Sequence, residues 1–133
     1  MILEMDYCLS LPDIQKMSEY ELRQLLICSK VDANNIFRAE CTYYMCLMEE
    51  NRRRYDRFPY EMDVISYVNI RDEDHEIIFG YGRRYSMYVI EGAVLVYDDN
   101  WVPYIFGSTE EDIRCVWKYF CVSREDKISS KSN

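Results

Sequence analysis

Residues 84–100, RYSMYVIEGAVLVYDDN, carry the clearest structural signal in the chain. They contain two runs rich in valine, isoleucine and tyrosine, which favour β-strands. Glu91-Gly92 separates the runs as a tight turn in which glycine supplies a positive φ angle. Asp98-Asp99-Asn100 follows the second run as another turn. The stretch therefore predicts an antiparallel hairpin.

Similar runs flank this hairpin on both sides, namely MDVISYVNI (62–70), HEIIFGY (75–81) and WVPYIF (101–106). Asp72-Glu73-Asp74 is a third predicted turn, and connections this short favour an antiparallel meander. Pro103 lacks a backbone N–H group and is expected at a sheet edge or where pairing ends early. The region thus predicts a four- or five-stranded antiparallel sheet.

Helical patterns precede the strands. Ser18–Glu21 fits a capping box, S-x-x-E, ahead of a helix of roughly ten residues that ends near Ser29. Asp32 is a candidate N-cap for a long helix over residues 33–55, which Phe58-Pro59 closes. The two helices form an N-terminal helical hairpin in this prediction.

A further helix is predicted after the strands. Residues 108–111, Ser-Thr-Glu-Glu, fit another capping box. The helix that follows is expected to carry four apolar residues on one side: Ile113, Val116, Trp117 and Phe120. The fold class is therefore α+β, with helices covering one face of an antiparallel sheet and the C-terminal helix packed on it. Residues 1–124 are expected to form one domain, and residues 125–133 a flexible polar tail.

The charge of the chain is uneven. The 133 residues carry a formal net charge of −8. Residues 58–112 hold twelve acidic side chains and three basic ones, a net charge of −9. A negative field of this kind repels nucleic-acid phosphates and attracts cationic surfaces, although many small soluble domains are acidic for solubility alone. Direct nucleic-acid binding is therefore not expected.

The six cysteines are interpreted as reduced thiols. Most of them lie within apolar stretches, where a thiol packs as a small hydrophobic group. The N-terminal residues MILEMDYCLS resemble no secretory signal, and no apolar run is long enough to span a bilayer. These features predict an intracellular, cytoplasmic protein without membrane association.

The sequence carries no recognisable catalytic motif. His75 is the only histidine, and its spacing from the carboxylates of residues 72–76 is poor for a metal site, so a solvated turn is the favoured interpretation. We expect no enzymatic activity, no metal and no cofactor. The arginine-rich run EENRRRYDRF (49–58) is interpreted as a solvated helix end with the i, i+4 pairs Glu49–Arg53 and Glu50–Arg54.

Protein binding is the function that the sequence favours. Thirteen residues are tyrosine, a residue type frequent at binding hot spots, although about half of those in the strands could be ordinary cross-strand packing. The sequence suggests a small inhibitor that occupies the basic surface of a nucleic-acid-handling protein, a nuclease or CRISPR effector for example. Two loops and two aromatic anchors form the predicted contact: Asp72, Glu73, Asp74, Glu76, Asp98 and Asp99, with Tyr97 and Trp101.

In size, acidity and absence of motifs the chain resembles phage-encoded inhibitors of CRISPR nucleases, antitoxins and immunity proteins. This resemblance covers no defined residue pattern. The alternative is a non-catalytic structural or regulatory subunit that forms a homodimer or joins an assembly through its aromatic surface.

Overall fold

The computed structural model describes residues 7–55, 60–107 and 109–123. The helices in these ranges are α1 (Leu11–Gln15), α2 (Glu19–Asp32), α3 (Phe37–Tyr55) and α4 (Glu110–Val116). The strands are β1 (Tyr60–Ser66), β2 (Ile70–Arg71), β3 (Ile77–Phe79), β4 (Arg84–Ile90), β5 (Ala93–Tyr97), β6 (Pro103–Ile105) and β7 (Phe120–Val122). The predicted closure at Phe58-Pro59, the N-cap at Ser108 and the polar tail lie outside the described residues.

Both N-terminal helices begin with a capping box. In α2 the backbone N–H of Glu21 donates to Ser18 Oγ at 3.1 Å, and the N–H of Ser18 donates to Glu21 Oε1 at 2.9 Å. In α1 the N–H of Ser10 donates to Asp13 Oδ2 at 2.9 Å. Each cap satisfies N–H groups that have no partner within the helix. The predicted capping box at Ser18 is confirmed.

The helical hairpin is confirmed, but its connection differs from the prediction. Asp32 is the last residue of α2 and not the N-cap of α3, which begins five residues later at Phe37. The Asp32 carboxylate accepts a hydrogen bond from the hydroxyl of buried Tyr7, so it is already engaged. The backbone N–H groups of Asn35 and Ile36 donate instead to the Asp32 carbonyl and form the turn.

Five strands form the main sheet, all antiparallel, in the order β6-β5-β4-β1-β7. The hairpin β4–β5 turns at Glu91 and Gly92, whose φ angles are 47° and 82°. The predicted tight turn with positive φ at Gly92 is confirmed. Glu91 also has positive φ, which gives the geometry of a type I′ turn. Pro103 begins β6 at one sheet edge, and β2 and β3 pair in a separate two-stranded hairpin.

Both faces of the sheet are buried, whereas one covered face was predicted. All five residues of β5 are buried because neighbours pack on either side. Leu95 and Tyr97 face a core shared with α1, α2 and α3, and Val94 and Val96 face a second core. Residues that do not belong to α1, α2 or α3 complete that second core, among them Phe79 of β3, Val116 of α4 and Phe120 of β7.

The C-terminal segment corrects one prediction. Helix α4 ends at Val116, which packs on the sheet as expected, but Trp117 lies in the following turn and is 40% exposed. Phe120 belongs to β7, which pairs with β1 through Ser66↔Phe120. The helical spacing is misleading here because the short segment Phe120–Val122 gains ladder hydrogen bonds along the free edge of β1.

Candidate protein-binding surface

The first acidic turn connects β2 to β3. Asp72 Oδ1 accepts hydrogen bonds from the backbone N–H groups of Asp74, at 2.8 Å, and Glu76, at 2.9 Å. Asp72, Glu73, Asp74 and Glu76 are all exposed. One carboxylate oxygen of Asp72 therefore stabilises the turn through two backbone hydrogen bonds. The four acidic side chains of this turn are exposed together.

His75 completes this turn through its backbone. Its φ angle is 67°, and its carbonyl oxygen accepts a hydrogen bond from Arg71 Nη1 at 2.9 Å. The His75 side chain is exposed. Among the described residues, no three His, Cys, Asp or Glu side chains are grouped so that they could hold a metal ion.

The second acidic turn connects β5 to β6 and has the same construction. Asp98 Oδ1 accepts from the N–H groups of Asn100, at 2.8 Å, and Val102, at 2.9 Å. Asp98 is half-buried, and Asp99 is exposed. Short polar side chains that accept from the backbone two or more residues later favour such turns.

Trp101 is held at the end of this turn in an unusual conformation. Its φ angle is 59°, a left-handed value that is uncommon for a bulky residue. Its N–H donates to the Asp98 carbonyl at 3.0 Å, and its own carbonyl accepts from the Leu11 N–H at 2.8 Å. These two backbone bonds fix the residue, and its side chain remains 41% exposed.

Tyr97 is not a surface anchor, which corrects the prediction made from the sequence. The residue is 1% exposed, and its ring packs against Tyr88, with centroids 5.4 Å apart, and against Trp101, at 5.7 Å. Its hydroxyl donates to Met48 Sδ at 3.9 Å. Tyr97 therefore supports the indole of Trp101 from the core and offers almost no surface of its own to a partner.

Tyr104, in β6, is a half-buried residue just beyond the second acidic turn. Burial raises the pKa of its hydroxyl, Arg38 lowers it, and the carboxylates of Asp98 and Asp72 raise it further. The Arg38 guanidinium lies over the Tyr104 ring, 4.9 Å from the centroid, and Nη1 donates to the Pro103 carbonyl at 2.7 Å. The carboxylates of Asp72 and Asp98 thus both contribute to the electrostatic environment of the Tyr104 hydroxyl. We call the six turn carboxylates and Trp101 the acidic surface.

A depression of about 230 Å3 opens beside the second turn. Its lining includes residues that the sequence did not single out, Asp63, Arg84 and Ser86, together with Asp98, Asp99 and Trp101. Asp63 and Ser86 are direct partners in the β1–β4 register, so strand alternation was the signal that could have placed them. Arg83 Nη2 lies 3.9 Å from Asp99 Oδ2 with both side chains more than half exposed, so one cation partly offsets the acidic surface.

The arginine run ends α3 as predicted, but it is not fully solvated. Arg53 Nε donates to Glu49 Oε2 at 2.7 Å, and Arg54 Nη2 lies 3.9 Å from Glu50 Oε1. The Glu49 side chain is completely buried. The two predicted pairs, Glu49–Arg53 and Glu50–Arg54, are therefore confirmed.

Comparison of the chain with protein-family models, curated proteins and solved structures finds no match. None of the helices that the structure describes combines the length and the apolar character needed to cross a membrane.

Proposed function

We propose that this protein is a non-catalytic inhibitor that binds the basic, nucleic-acid-binding surface of another protein through its acidic surface. One arrangement carries the proposal: the first turn displays four exposed carboxylates, and the second turn groups Asp98 and Asp99 with exposed Trp101 around one depression. Carboxylates and an aromatic anchor in one region complement a groove lined by lysine and arginine.

The two turns suit this role because their backbones are already fixed. Asp72 and Asp98 each use one oxygen to hold two backbone N–H groups, which leaves the other carboxylate oxygen for a partner. A surface ordered before binding loses less conformational entropy on association. The negative field of residues 58–112 would also steer the protein towards a cationic partner.

In this mechanism the acidic surface takes the place of nucleic-acid phosphates. Partner cations that would bind phosphate pair with the turn carboxylates, and Trp101 packs against an apolar or guanidinium surface between them. Binding of the inhibitor and binding of the nucleic acid therefore exclude each other.

The test uses a variant that removes charge but keeps the turns. In Asp72→Asn/Asp98→Asn the amide Oδ1 still accepts the backbone N–H groups, so the fold is retained while two charges are lost. The control Glu91→Gln/Glu111→Gln removes two charges from exposed residues elsewhere in the same acidic region. Each protein serves as bait in an affinity purification from its native host, followed by quantitative mass spectrometry.

A basic nucleic-acid-binding protein should be recovered with the wild type and the control and be depleted at least about tenfold with the Asn variant. With that partner purified, the association rate should fall steeply between about 50 and about 500 mM salt, and nucleic acid should compete. Equal recovery with both variants, or an association rate that ignores salt, would refute the proposal.

A further inference from the structure

The depression beside the second acidic turn lies where the helical layer ends on the sheet. Tyr88 of β4 is buried in the core that contains α1, α2 and α3. Ser86, two residues earlier on the same face of β4, lines the depression together with Asp63, its partner across the strands. Asp63 and Arg84 on this face are exposed. The depression is therefore the step between the helical layer and the open part of the sheet.

The volume of the depression limits the size of its ligand. Pockets that hold small molecules and cofactors enclose about 300–1,000 Å3. The depression encloses about 230 Å3. It therefore suits a single side chain and is too small for a nucleotide or a comparable cofactor.

The charges of the lining favour a cation. Among the described lining residues, three carboxylates, those of Asp63, Asp98 and Asp99, accompany one guanidinium, that of Arg84. Arg83 Nη2 also lies 3.9 Å from Asp99 Oδ2, and this pair is weak because both side chains are more than half exposed. With both arginines counted, one negative charge remains, so the lining attracts a cation and repels an anion.

The aromatic wall favours a planar cation. Trp101 lines the depression and is 41% exposed, and the buried ring of Tyr97 supports its indole with centroids 5.7 Å apart. Asp98 commits Oδ1 to two backbone N–H groups, so Oδ2 is the oxygen that can accept from a ligand. A guanidinium stacks on an aromatic face and donates two parallel N–H groups to a carboxylate, whereas an ammonium is a point charge without this geometry.

We propose that the depression is a socket for one arginine side chain of the partner, whose guanidinium stacks on Trp101 and donates to Asp98 and Asp99. The proposal rests on the proposed function, because that function supplies the basic partner, and it names the residue type that the second turn selects. Repulsion by the Arg84 guanidinium keeps the bound arginine on the side of Trp101 and the turn.

Heteronuclear NMR of the isotope-labelled full chain, titrated with N-acetyl-arginine amide, tests the socket. The indole N–H signal of Trp101 and the backbone signals of Asp98 and Asp99 should shift saturably, with a dissociation constant of about 1–10 mM. The indole of Trp117, exposed to the same extent at 40%, is an internal control and should not shift. N-acetyl-lysine amide should bind at least about threefold more weakly.

A charge-neutral variant tests the role of the carboxylate. Asp98→Asn retains an oxygen for the two backbone N–H groups and removes the charge, so it should weaken arginine-amide binding at least about fivefold. Glu91→Gln is the matched control, since it removes one charge from an exposed residue at the opposite end of the β4–β5 hairpin. It should change the dissociation constant by less than about twofold. The amide spectrum verifies that each variant is folded.

The absence of a saturable shift at Trp101 up to about 50 mM ligand would overturn the proposal. Equal affinity for the arginine and lysine amides, or equal weakening by Asp98→Asn and Glu91→Gln, would overturn it as well. The affinity purification described above is a separate measurement. Recovery of a basic partner without arginine-amide binding would refute the socket alone, whereas arginine-amide binding without recovery of a basic partner would refute the proposed function alone.

Discussion

The buried carboxylate of Glu49 and the guanidinium of Arg53 fix the end of α3 to the start of the fold. Arg53 Nε donates to Glu49 Oε2 at 2.7 Å, while Arg53 Nη2 donates to the carbonyl oxygens of Ile14, at 3.1 Å, and Met17, at 2.8 Å. Glu49 also receives two bonds from Arg52, at 2.8 and 2.7 Å. Arg53 therefore adds hydrogen bonds to the carbonyls of Ile14, in the last turn of α1, and of Met17, just after it.

Glu49→Gln should destabilise the protein by about 2–3 kcal/mol, because it removes the charge that neutralises two arginines around a buried site. The control Glu50→Gln should change stability by less than about 0.5 kcal/mol, since the Glu50–Arg54 pair is 3.9 Å apart and largely solvated. Urea denaturation of the three proteins measures the free energy of unfolding. Similar losses in both variants would contradict the structural role of Glu49.

The same carboxylate predicts how stability depends on pH. Burial alone raises the pKa of Glu49, but hydrogen bonds from Arg52 and Arg53 outweigh burial and hold the pKa below its ordinary value of 4.5. A carboxyl whose pKa is depressed by folding contributes stability above its unfolded pKa and loses it as the pH falls through the folded pKa. The urea midpoint should therefore fall as the pH is lowered below about 4.5.

Two exposed capping carboxylates add to this acid sensitivity. Hydrogen bonds from the backbone N–H groups of Ser10 and Ser18 lower the pKa values of Asp13 and Glu21. Glu49→Gln should thus flatten the fall of the urea midpoint without abolishing it. An unchanged pH profile in this variant would show that Glu49 titrates normally.

Tyr97 should behave as a core residue. Tyr97→Phe removes only a long hydroxyl contact to Met48 Sδ and should cost less than about 1 kcal/mol of stability. Tyr97→Ala should cost about 3–5 kcal/mol, because it leaves a cavity between Tyr88 and Trp101. Thermal denaturation distinguishes the two variants. Loss of partner affinity in a stable Tyr97→Phe protein would restore Tyr97 as a contact residue.

The cysteines should divide into reactive and protected groups. Cys28 is exposed, whereas Cys41 and Cys46 are buried, and burial raises their thiol pKa values to about 11 and about 12. Iodoacetamide at about pH 7.5 should modify the exposed thiols of Cys8 and Cys28 first, and Cys41 and Cys46 only after denaturant unfolds the chain. Peptide mapping by mass spectrometry follows each site. Early modification of Cys41 or Cys46 in the native protein would contradict this order.

Much of the fold could be predicted from local patterns. The capping box at Ser18, the Glu91-Gly92 turn and the edge position of Pro103 each depend on residues close in sequence and on simple backbone requirements. Strand β7 could not be predicted in this way, because Phe120 also fits a helical spacing. The free edge of β1, more than 50 residues earlier in the chain, determines its conformation.

The candidate surface could be predicted only in part. Acid-rich turns at Asp72 and Asp98 follow from composition, since carboxylates near the backbone favour turns. That Trp101 lines a depression with Asp63 and Arg84, and that it is exposed while Tyr97 is buried, does not follow from their order in the chain. Side-chain alternation in β5 places Tyr97 on one face, but only the packing of α1, α2 and α3 makes that face an interior one.

The sequence by itself determined the α+β class, an antiparallel sheet, the capped start of α2 and the acidic excess of residues 58–112. Only the tertiary structure decided which acids are displayed together, which aromatic residue is accessible and that Glu49 is buried. The physical reason is the distance along the chain over which the deciding interactions act. Turns, caps and alternation depend on neighbours a few residues away, whereas burial and shared electrostatic fields depend on contacts such as Leu11 with Trp101, which form only when distant segments pack.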